Sequence, residues 1–284
     1  MRSDLADFEL VRATSVREAC ERIEAGYRPL AGGTDVMVML SAGKLAHRRW
    51  VDLWGLDDLR GIEETPGALA MGALTTYTDL RRHPIVVREF PMLVQAASET
   101  GGIAIQNRGT LGGNIGNASP AADSPPALLA YGAELGLVSR DGSRTVPYDA
   151  FHTAYKRTLA APGELVARVI VPRAAAGAER VHFYRKVGPR QAQAISKVCF
   201  AACAEKRGGR VHDVKIALGG VAPTVVRAVE AERAIVAGEP SARVCEALMR
   251  VVVPIDDVRS TARYRRRVAE NLLRDFLGHV GLAS

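Results

Sequence analysis

The stretch PLAGGTDVMVML, residues 29–40, places two adjacent glycines and a Thr-Asp pair between a short apolar run and a run with helical character. A strand that stops at Gly32 and Gly33 permits a tight turn and exposes backbone amides with no side chain in the way. Thr34 and Asp35 are suited to cap the helix that follows. Because amides at the start of a helix bind anions, the sequence predicts an anion site at this turn.

A second stretch, NRGTLGGNIGNASPAAD at residues 107–123, has a similar glycine turn. A hydroxyl, bare amides and a side-chain amide come from Thr110, Gly112, Gly113 and Asn114. Small polar residues continue through Asn117, Ser119 and Asp123, in a segment poor in apolar residues. Either turn alone is most often a simple tight loop. Together, two such turns are suited to grip one diphosphate from both sides.

The pattern of the whole chain predicts two domains that contain both helices and strands. Helices and strands alternate up to Pro172, which closes a first domain of residues 1–172. In its first helix, Ser15 and Glu18 are spaced as a capping box. The stretch RAAAGAE, from residue 173, reads as a linker to a second domain at residues 179–284. That domain is expected to hold an antiparallel meander and then three helices, around 227–237, 241–251 and 260–277.

The positive charge is confined to the last third of the chain. The net charge is +7, yet residues 1–172 hold 18 basic and 20 acidic side chains, whereas residues 173–284 hold 20 and 11. The densest basic cluster begins at Arg259 and reads as a helix with its leucines inward and its arginines outward. Such a face is either solvated or complementary to an acidic protein partner. Nucleic acid is not expected, since aromatic residues are only 5% and no nucleic-acid motif accompanies the charge.

Several other classes are also disfavoured. No apolar run approaches the length of a membrane span, and the acidic N-terminus is unlike a signal peptide, so a cytoplasmic location is expected. The four cysteines show no C-x-x-C pair and the six histidines show no ligand spacing, so no metal site and no iron–sulfur cluster are expected in this chain. Cys199 and Cys203 read as packed residues on one face of a strand. The phosphate-loop and Rossmann glycine patterns are absent.

The residues of the two glycine stretches resemble the FAD-binding motifs of the flavoprotein (medium) subunit of the molybdenum hydroxylases, the family of xanthine dehydrogenase and aerobic carbon monoxide dehydrogenase. The resemblance covers nearly the whole chain. AYKRTLAAPGELVARVIVP resembles the end of that family's FAD domain, FYRKVGPRQAQAISKV the start of its C-terminal domain, and IALGGVAPTVVRA with DDVRSTARYRRRVAENLL its last helical part.

This resemblance implies a PCMH-type FAD-binding domain of two α+β subdomains, about 1–55 and 56–172, followed by a smaller C-terminal domain of antiparallel sheet and helices. It also implies a set of cofactor contacts. The FAD diphosphate would be held by Pro29, Leu30, Ala31, Gly32, Gly33, Thr34, Asp35 and Val36, and by Thr110, Leu111, Gly112, Gly113 and Asn114. Further contacts would be Gly101, Ile105 and Asn117, with Asp123 at the sugar, Val166 lining the flavin, and Lys186 near the isoalloxazine with Tyr184 beside it.

Two positions depart from the family pattern. Gln106 stands where arginine is expected, and Gln193 replaces an acidic residue that lies near the flavin in animal xanthine dehydrogenases. The second change puts the handling of NAD in doubt. Neither glycine motif carries the histidine or cysteine that attaches flavin in covalent members of the wider superfamily, so noncovalent FAD is expected.

By the same resemblance, the chain would be the electron exit of a larger enzyme. Electrons would reach FAD from two [2Fe–2S] clusters on a small subunit, after hydroxylation at a molybdopterin on a large subunit, and would leave to NAD or another acceptor. No catalytic acid or base is expected in this chain. Two alternatives stay open: a stand-alone PCMH-type flavin oxidoreductase, and a basic, non-enzymatic interaction protein whose glycine loops are only turns.

Overall fold

A computed structural model of the protein describes residues 5–190 and 193–282. Helices and strands are mixed along the chain, and the sheets are partly parallel and partly antiparallel, which confirms the α+β prediction. Three layers of structure follow one another in the sequence, each built around its own sheet. The predicted domain limits, 1–172 and 179–284, stay a prediction.

The first layer is a small parallel sheet with two crossover helices. Its elements are β1 (Glu9–Arg12), α1 (Val16–Glu24), β2 (Arg28–Leu30), α2 (Thr34–Ser41) and β3 (Arg49–Asp52). The strand order β1-β3-β2 places β3 in the centre, and both neighbours run parallel to it. The carboxyl ends of all three strands therefore meet at one edge, where ligands of open parallel sheets bind.

The second layer is a five-stranded antiparallel sheet with six short helices. Its elements are β4 (Ile62–Thr65), β5 (Ala68–Gly72), α3 (Tyr77–Arg82), α4 (Pro84–Glu89), α5 (Pro91–Glu99), α6 (Ile103–Gln106), α7 (Leu111–Gly116), α8 (Ser124–Ala130), β6 (Glu134–Ser139), β7 (Gly142–Pro147), β8 (His152–Ala154), β9 (Arg157–Thr158) and β10 (Leu165–Pro172). The sheet order is β4-β5-β10-β6-β7, and β8 and β9 form a separate hairpin.

The third layer is an antiparallel meander covered by helices. Its elements are β11 (Glu179–Val187), β12 (Val198–Arg207), β13 (Arg210–Gly219), β14 (Val226–Arg227), α9 (Val229–Val236), α10 (Ser241–Met249) and α11 (Ala262–His279). Gly208 and Gly209, both with positive φ, form the turn between β12 and β13 at the predicted place. The three C-terminal helices agree with the predicted ones to within about two residues at each end.

The C-terminal sheet has two buried faces with different neighbours. Phe183 and Phe200 lie in the cluster beneath α9, α10 and α11. Cys199 and Cys203 lie on the opposite face, in the core that is shared with α5 and α8 of the second layer. The two cysteines thus occupy one face of a strand, as predicted. Because a single core joins the second and third layers, the polar groups between them are held rigidly.

Four features differ from the sequence predictions. The N-cap of α2 is Gly33, and Thr34 and Asp35 are first-turn residues without a capping hydrogen bond. Glu18 accepts from Thr14 rather than from Ser15, so the capping box is only half formed. Six elements or pairs of elements were not predicted: β1, α4, α6, α8, the hairpin β8–β9 and β14.

The fourth difference concerns the basic cluster on α11. Most of its arginines are exposed, but Arg265 is only 2% exposed. Its guanidinium donates to the carbonyl of Gly220 and to the carboxylate of Asp257, at 2.8 and 2.6 Å. This arginine therefore joins α11 to the loops beneath it and is not part of a solvated face.

Candidate functional site

The first glycine turn is built around a very close backbone approach. Gly33 has φ +75°, which favours glycine, and it begins α2. A Cβ atom on Gly32 would lie 1.6 Å from the carbonyl oxygen of Arg108, in the stretch that precedes the second turn. Only glycine fits at residue 32, because the two stretches of backbone touch there.

The second glycine turn lies directly beside the first. Thr110 is the N-cap of α7, and its hydroxyl accepts from the amide of Gly113 at 3.1 Å. A Cβ atom on Gly113 would lie 2.8 Å from that hydroxyl oxygen and 3.7 Å from the Cβ of Ala31. The structure therefore brings together the two stretches that the sequence singled out.

The first turn presents donors that the protein itself does not use. Within residues 5–190 and 193–282, the amides from Gly32 to Val36 donate no hydrogen bond. An open groove of about 390 Å³ lies alongside, at the carboxyl edge of the parallel sheet. It is lined by Leu10, Arg12, Leu30, Ala31, Gly32, Gly33, Val36, Met37, Asp52, Trp54 and Arg108. Unused amides beside an open groove suit an anionic ligand.

A buried polar cluster surrounds Asp123, between the second and third layers. The ammonium of Lys186 lies 2.6 Å from Oδ2 of Asp123, and it also donates to the carbonyl of Glu99 at 2.8 Å. The hydroxyl of Ser196 donates to Oδ1 of Asp123 at 2.5 Å, and that of Tyr184 donates to the Asp123 carbonyl at 3.1 Å. Burial raises the pKa of the Asp123 carboxyl, while Lys186 and the Ser196 hydroxyl act in the opposite direction.

Short contacts connect this cluster to the glycine turns. The hydroxyl of Ser124, the residue after Asp123, donates to Oδ1 of Asn114 at 2.7 Å. On the other side, Thr100 lies 3.5 Å from Oδ2 of Asp123 and precedes Gly101. A Cβ atom on Gly101 would lie 2.7 Å from the side chain of Ile105, which confines residue 101 to glycine.

Two candidates remain, Asn117 and Val166. Asn117 ends α7, and both its carbonyl and its side-chain oxygen accept from Lys156. Val166 is buried on β10, in the core against which α7 packs. The roles assigned to these residues by the sequence stay predictions.

Three polar residues of this region were missed from the sequence. Thr100 and Ser196 hydrogen-bond to Asp123, and Lys156 touches Asn117. Ser196 and Thr100 carry no local signal, because their partners are 73 and 23 residues away. Lys156 stands in the quoted stretch AYKRT, but the hairpin that positions it was not predicted.

The two positions that depart from the family pattern lie close to this region. Gln106 is 4% exposed, accepts from Arg81 and donates to the carbonyl of Ser98 at 2.9 Å. The side chain of Gln193 lies against Gly102, where an added Cβ would be 2.9 Å from its Nε2. Gln193 itself has φ +50°.

Within the described parts of the chain, no three His, Cys, Asp or Glu side chains are grouped so that they could hold a metal ion. No helix of those parts is long and apolar enough to cross a membrane.

Two family profiles match the chain in succession. The profile described as "FAD binding domain in molybdopterin dehydrogenase" matches residues 6–174. The profile described as "CO dehydrogenase flavoprotein C-terminal domain" matches residues 183–280. The first alone covers more than half of the chain.

Individual relatives match over almost their full length. The glyceraldehyde dehydrogenase medium chain of Sulfolobus acidocaldarius is 32% identical over 272 residues, which cover 94% of this chain and 95% of the relative. The putative xanthine dehydrogenase FAD-binding subunit of Escherichia coli is 33% identical over 261 residues, covering 90% and 89%. A chain of carbon monoxide dehydrogenase from Hydrogenophaga pseudoflava superposes with a TM-score of 0.90 at 29% identity, over 98% of both chains.

Proposed function

This chain belongs to the family of FAD-binding medium subunits of the molybdenum hydroxylases, and from that membership we propose its place in electron transfer. It is an oxidoreductase subunit of the xanthine dehydrogenase and carbon monoxide dehydrogenase type. In the proposal, [2Fe–2S] clusters of a small partner subunit deliver electrons to it, and NAD or another acceptor removes them. A large molybdopterin-binding subunit would carry the substrate chemistry.

The observation that carries the proposal is the meeting of the two glycine turns. A side chain on Gly32 would overlap the backbone of the other stretch, and a side chain on Gly113 would press on Thr110 of its own turn and touch Ala31, so the turns form a cradle that a Cβ atom would fill. The free amides from Gly32 to Val36 fit the two negative charges of a diphosphate. The residues present therefore fit FAD, with its diphosphate held by the backbone of Pro29 to Val36 and with Thr110 to Asn114 on its other side. The amides of Leu111 to Asn114 already donate within the protein, so the free amides are those of the first turn.

In the proposal, Asp123 would hold the sugar portion of FAD and Lys186 would lie near its isoalloxazine. When bound, FAD supplies the ability to accept single electrons and to release them as a pair. Lys186 holds a positive charge in this low-dielectric region, and Asp123 and the carbonyl of Glu99 fix its position. Gly101, Ile105, Asn117, Val166 and Tyr184 would complete the contacts. The contribution of this chain is to bind and orient the cofactor and to set the local charge.

Reconstitution of the apoprotein with FAD tests the assignment of both turns. We expect tight, noncovalent binding by the natural protein and strong loss in Gly33→Val and Gly113→Val. Gly67→Val is the matched control for Gly33, because Gly67 has φ +78° in the β4–β5 turn and a Cβ there would meet nothing within 4 Å. Gly113→Ala is a milder test of the second turn, since any side chain there also presses on the cap residue Thr110.

Three outcomes separate the possibilities. Loss of binding in both turn variants, with Gly67→Val unaffected, supports the cradle. Unchanged binding in both turn variants would contradict the assignment of these residues. An apoprotein that binds no FAD at all would contradict the proposed function and favour a basic interaction protein.

A further inference from the structure

The hairpin β8–β9 is fastened onto α7, the helix of the second glycine turn. At its base, Nε2 of His152 lies 2.9 Å from the carbonyl oxygen of Ile115. Burial lowers the pKa of His152, which favours the neutral ring that donates this hydrogen bond. At its tip, Lys156 adopts φ +57°. A left-handed lysine is strained where glycine or asparagine would not be, and such strain is concentrated at functional positions.

The hairpin brings the ammonium of Lys156 to the C-terminal end of α7. Its Nζ atom donates to the carbonyl oxygen of Asn117 at 2.8 Å and to the side-chain oxygen at 2.7 Å. The carboxylate of Asp35, in the first turn of α2, is close enough to oppose the effect of burial on the pKa of Lys156. The ammonium thus lies at the end of α7, within electrostatic range of the start of α2.

One N–H donor of the Lys156 ammonium is left without an acceptor among the described residues. A lysine ammonium has three donors, and Asn117 takes two of them. In the described ranges, 5–190 and 193–282, the third donor has no acceptor. The nearby Arg108 is engaged differently, since its guanidinium stacks at 3.6 Å on the ring of Trp54 and its Nε faces the carbonyl of Gly32.

We propose that Lys156 is a further cofactor-binding residue, held by the β8–β9 hairpin so that its free donor pairs with the diphosphate of FAD. This inference rests on the proposed function. The amides of the glycine turns are uncharged and Asp35 adds a negative charge, so a cation in addition to Arg12 and Arg108, which line the groove, would strengthen diphosphate binding. Lys156 supplies it from a third element of the chain.

A purely structural role for Lys156 makes a different prediction. If its only task were to cap the carbonyl end of α7, its loss would lower the stability of the apoprotein and weaken all ligands alike. If it pairs with the diphosphate, its loss weakens only ligands that carry phosphates. The adjacent Arg157 is an exposed residue of β9 with the same charge, so Arg157→Met is a matched control.

The experiment is a titration of the apoprotein, by calorimetry or by flavin fluorescence, with FAD, ADP and adenosine. For Lys156→Met we expect the dissociation constants of FAD and ADP to rise about tenfold, as for one charge-assisted hydrogen bond. Adenosine binding should not change, and the melting temperature of the apoprotein should fall only slightly, through the loss of the two hydrogen bonds to Asn117. Lys156→Arg should recover most of the ADP affinity, and Arg157→Met should bind all three ligands like the natural protein.

The outcomes separate this inference from the proposed function. If the natural protein binds FAD and Lys156→Met binds FAD and ADP as tightly as the natural protein does, the inference is overturned and the proposed function stays intact. An equal loss of ADP and adenosine affinity, or the same loss of ADP affinity in Arg157→Met, also overturns it. If the natural protein binds neither FAD nor ADP, the proposed function is contradicted, and the inference about Lys156 is contradicted with it.

Discussion

The ammonium of Lys186 and the carboxylate of Asp123 form an ion pair with an N–O distance of 2.6 Å, buried between the second and third layers. Their side chains are only 4% and 10% exposed. Asp123 begins α8 and Lys186 lies on β11, so the pair joins the second glycine stretch to the C-terminal sheet. Geometry at the predicted cofactor site therefore depends on the packing of both layers.

Removal of one partner should leave the other charge buried and unpaired. We expect Lys186→Met to lower the free energy of unfolding of the apoprotein by about 3 kcal/mol. The double variant Lys186→Met with Asp123→Asn should recover much of this loss. Urea unfolding of the three proteins at pH 7 measures the effect, and a single variant as stable as the natural protein would contradict it.

The same variant should respond to pH in a defined direction. Burial already raises the pKa of Asp123 above its usual 3.8, and loss of the ammonium raises it further. The folded variant then binds the proton more tightly than the unfolded chain, so its stability falls as the pH rises above about 3.8. The loss caused by Lys186→Met should accordingly be smaller at pH 5 than at pH 7.

Gly32→Ala should push the two turns apart, because the added methyl group clashes with the other stretch. The added Cβ would overlap the carbonyl oxygen of Arg108, and the backbone of residue 32 needs no positive φ. We expect a loss of stability of about 3 kcal/mol, the upper range for overpacking, together with weakened FAD binding. Gly55→Ala is the control, since a Cβ there meets nothing within 4 Å. Thermal unfolding measures the effect, and equal melting temperatures of Gly32→Ala and Gly55→Ala would contradict this account.

His182 should make stability depend on pH. Its Nδ1 lies 3.2 Å from the hydroxyl of Tyr131, and burial together with Arg180 lowers its pKa from 6.5 to about 4. Between these values the unfolded chain binds the proton and the folded protein does not, so stability falls as the pH is lowered through this window. His182→Phe should reduce the slope of stability against pH between 6.5 and 4. An unchanged slope would show that the ring is not held neutral.

The four cysteines should be inert in the folded protein. All four are buried free thiols, and burial raises the pKa of Cys203 to about 12. A chromogenic thiol reagent at pH 8 should react with the native protein at roughly one-hundredth of the rate for the unfolded chain, because it needs opening of the core. Rapid reaction of a cysteine in the native state would contradict the described packing.

The parts of the site that the sequence predicted are those with local causes. Gly32 and Gly33 end a strand and begin a helix, and this pattern can be recognised within a few residues. The same is true of Thr110. Its hydroxyl caps α7 by accepting a hydrogen bond from the amide of Gly113, only three residues away. The pairing of β11, β12 and β13 followed from their alternating apolar residues and the Gly-Gly turn.

The parts that the sequence did not predict have distant causes. Every residue of α8 is buried, so the helix shows no amphipathic periodicity, and its start contains two prolines. The hairpin β8–β9 is too short for a strand pattern and is fixed by contacts of His152 and Lys156 to α7. Arg265 was expected to be exposed, but it is buried, because the Asp257 carboxylate and the Gly220 carbonyl accept hydrogen bonds from its guanidinium.

The central claim is tested most directly by the visible absorption spectrum of the purified protein, followed by heat treatment and identification of the released nucleotide. The account predicts flavin absorption bands in the folded protein and free FAD in the supernatant after denaturation. A colourless protein that also takes up no added FAD would contradict it, and the paired glycine turns would then be no more than tight turns of the backbone.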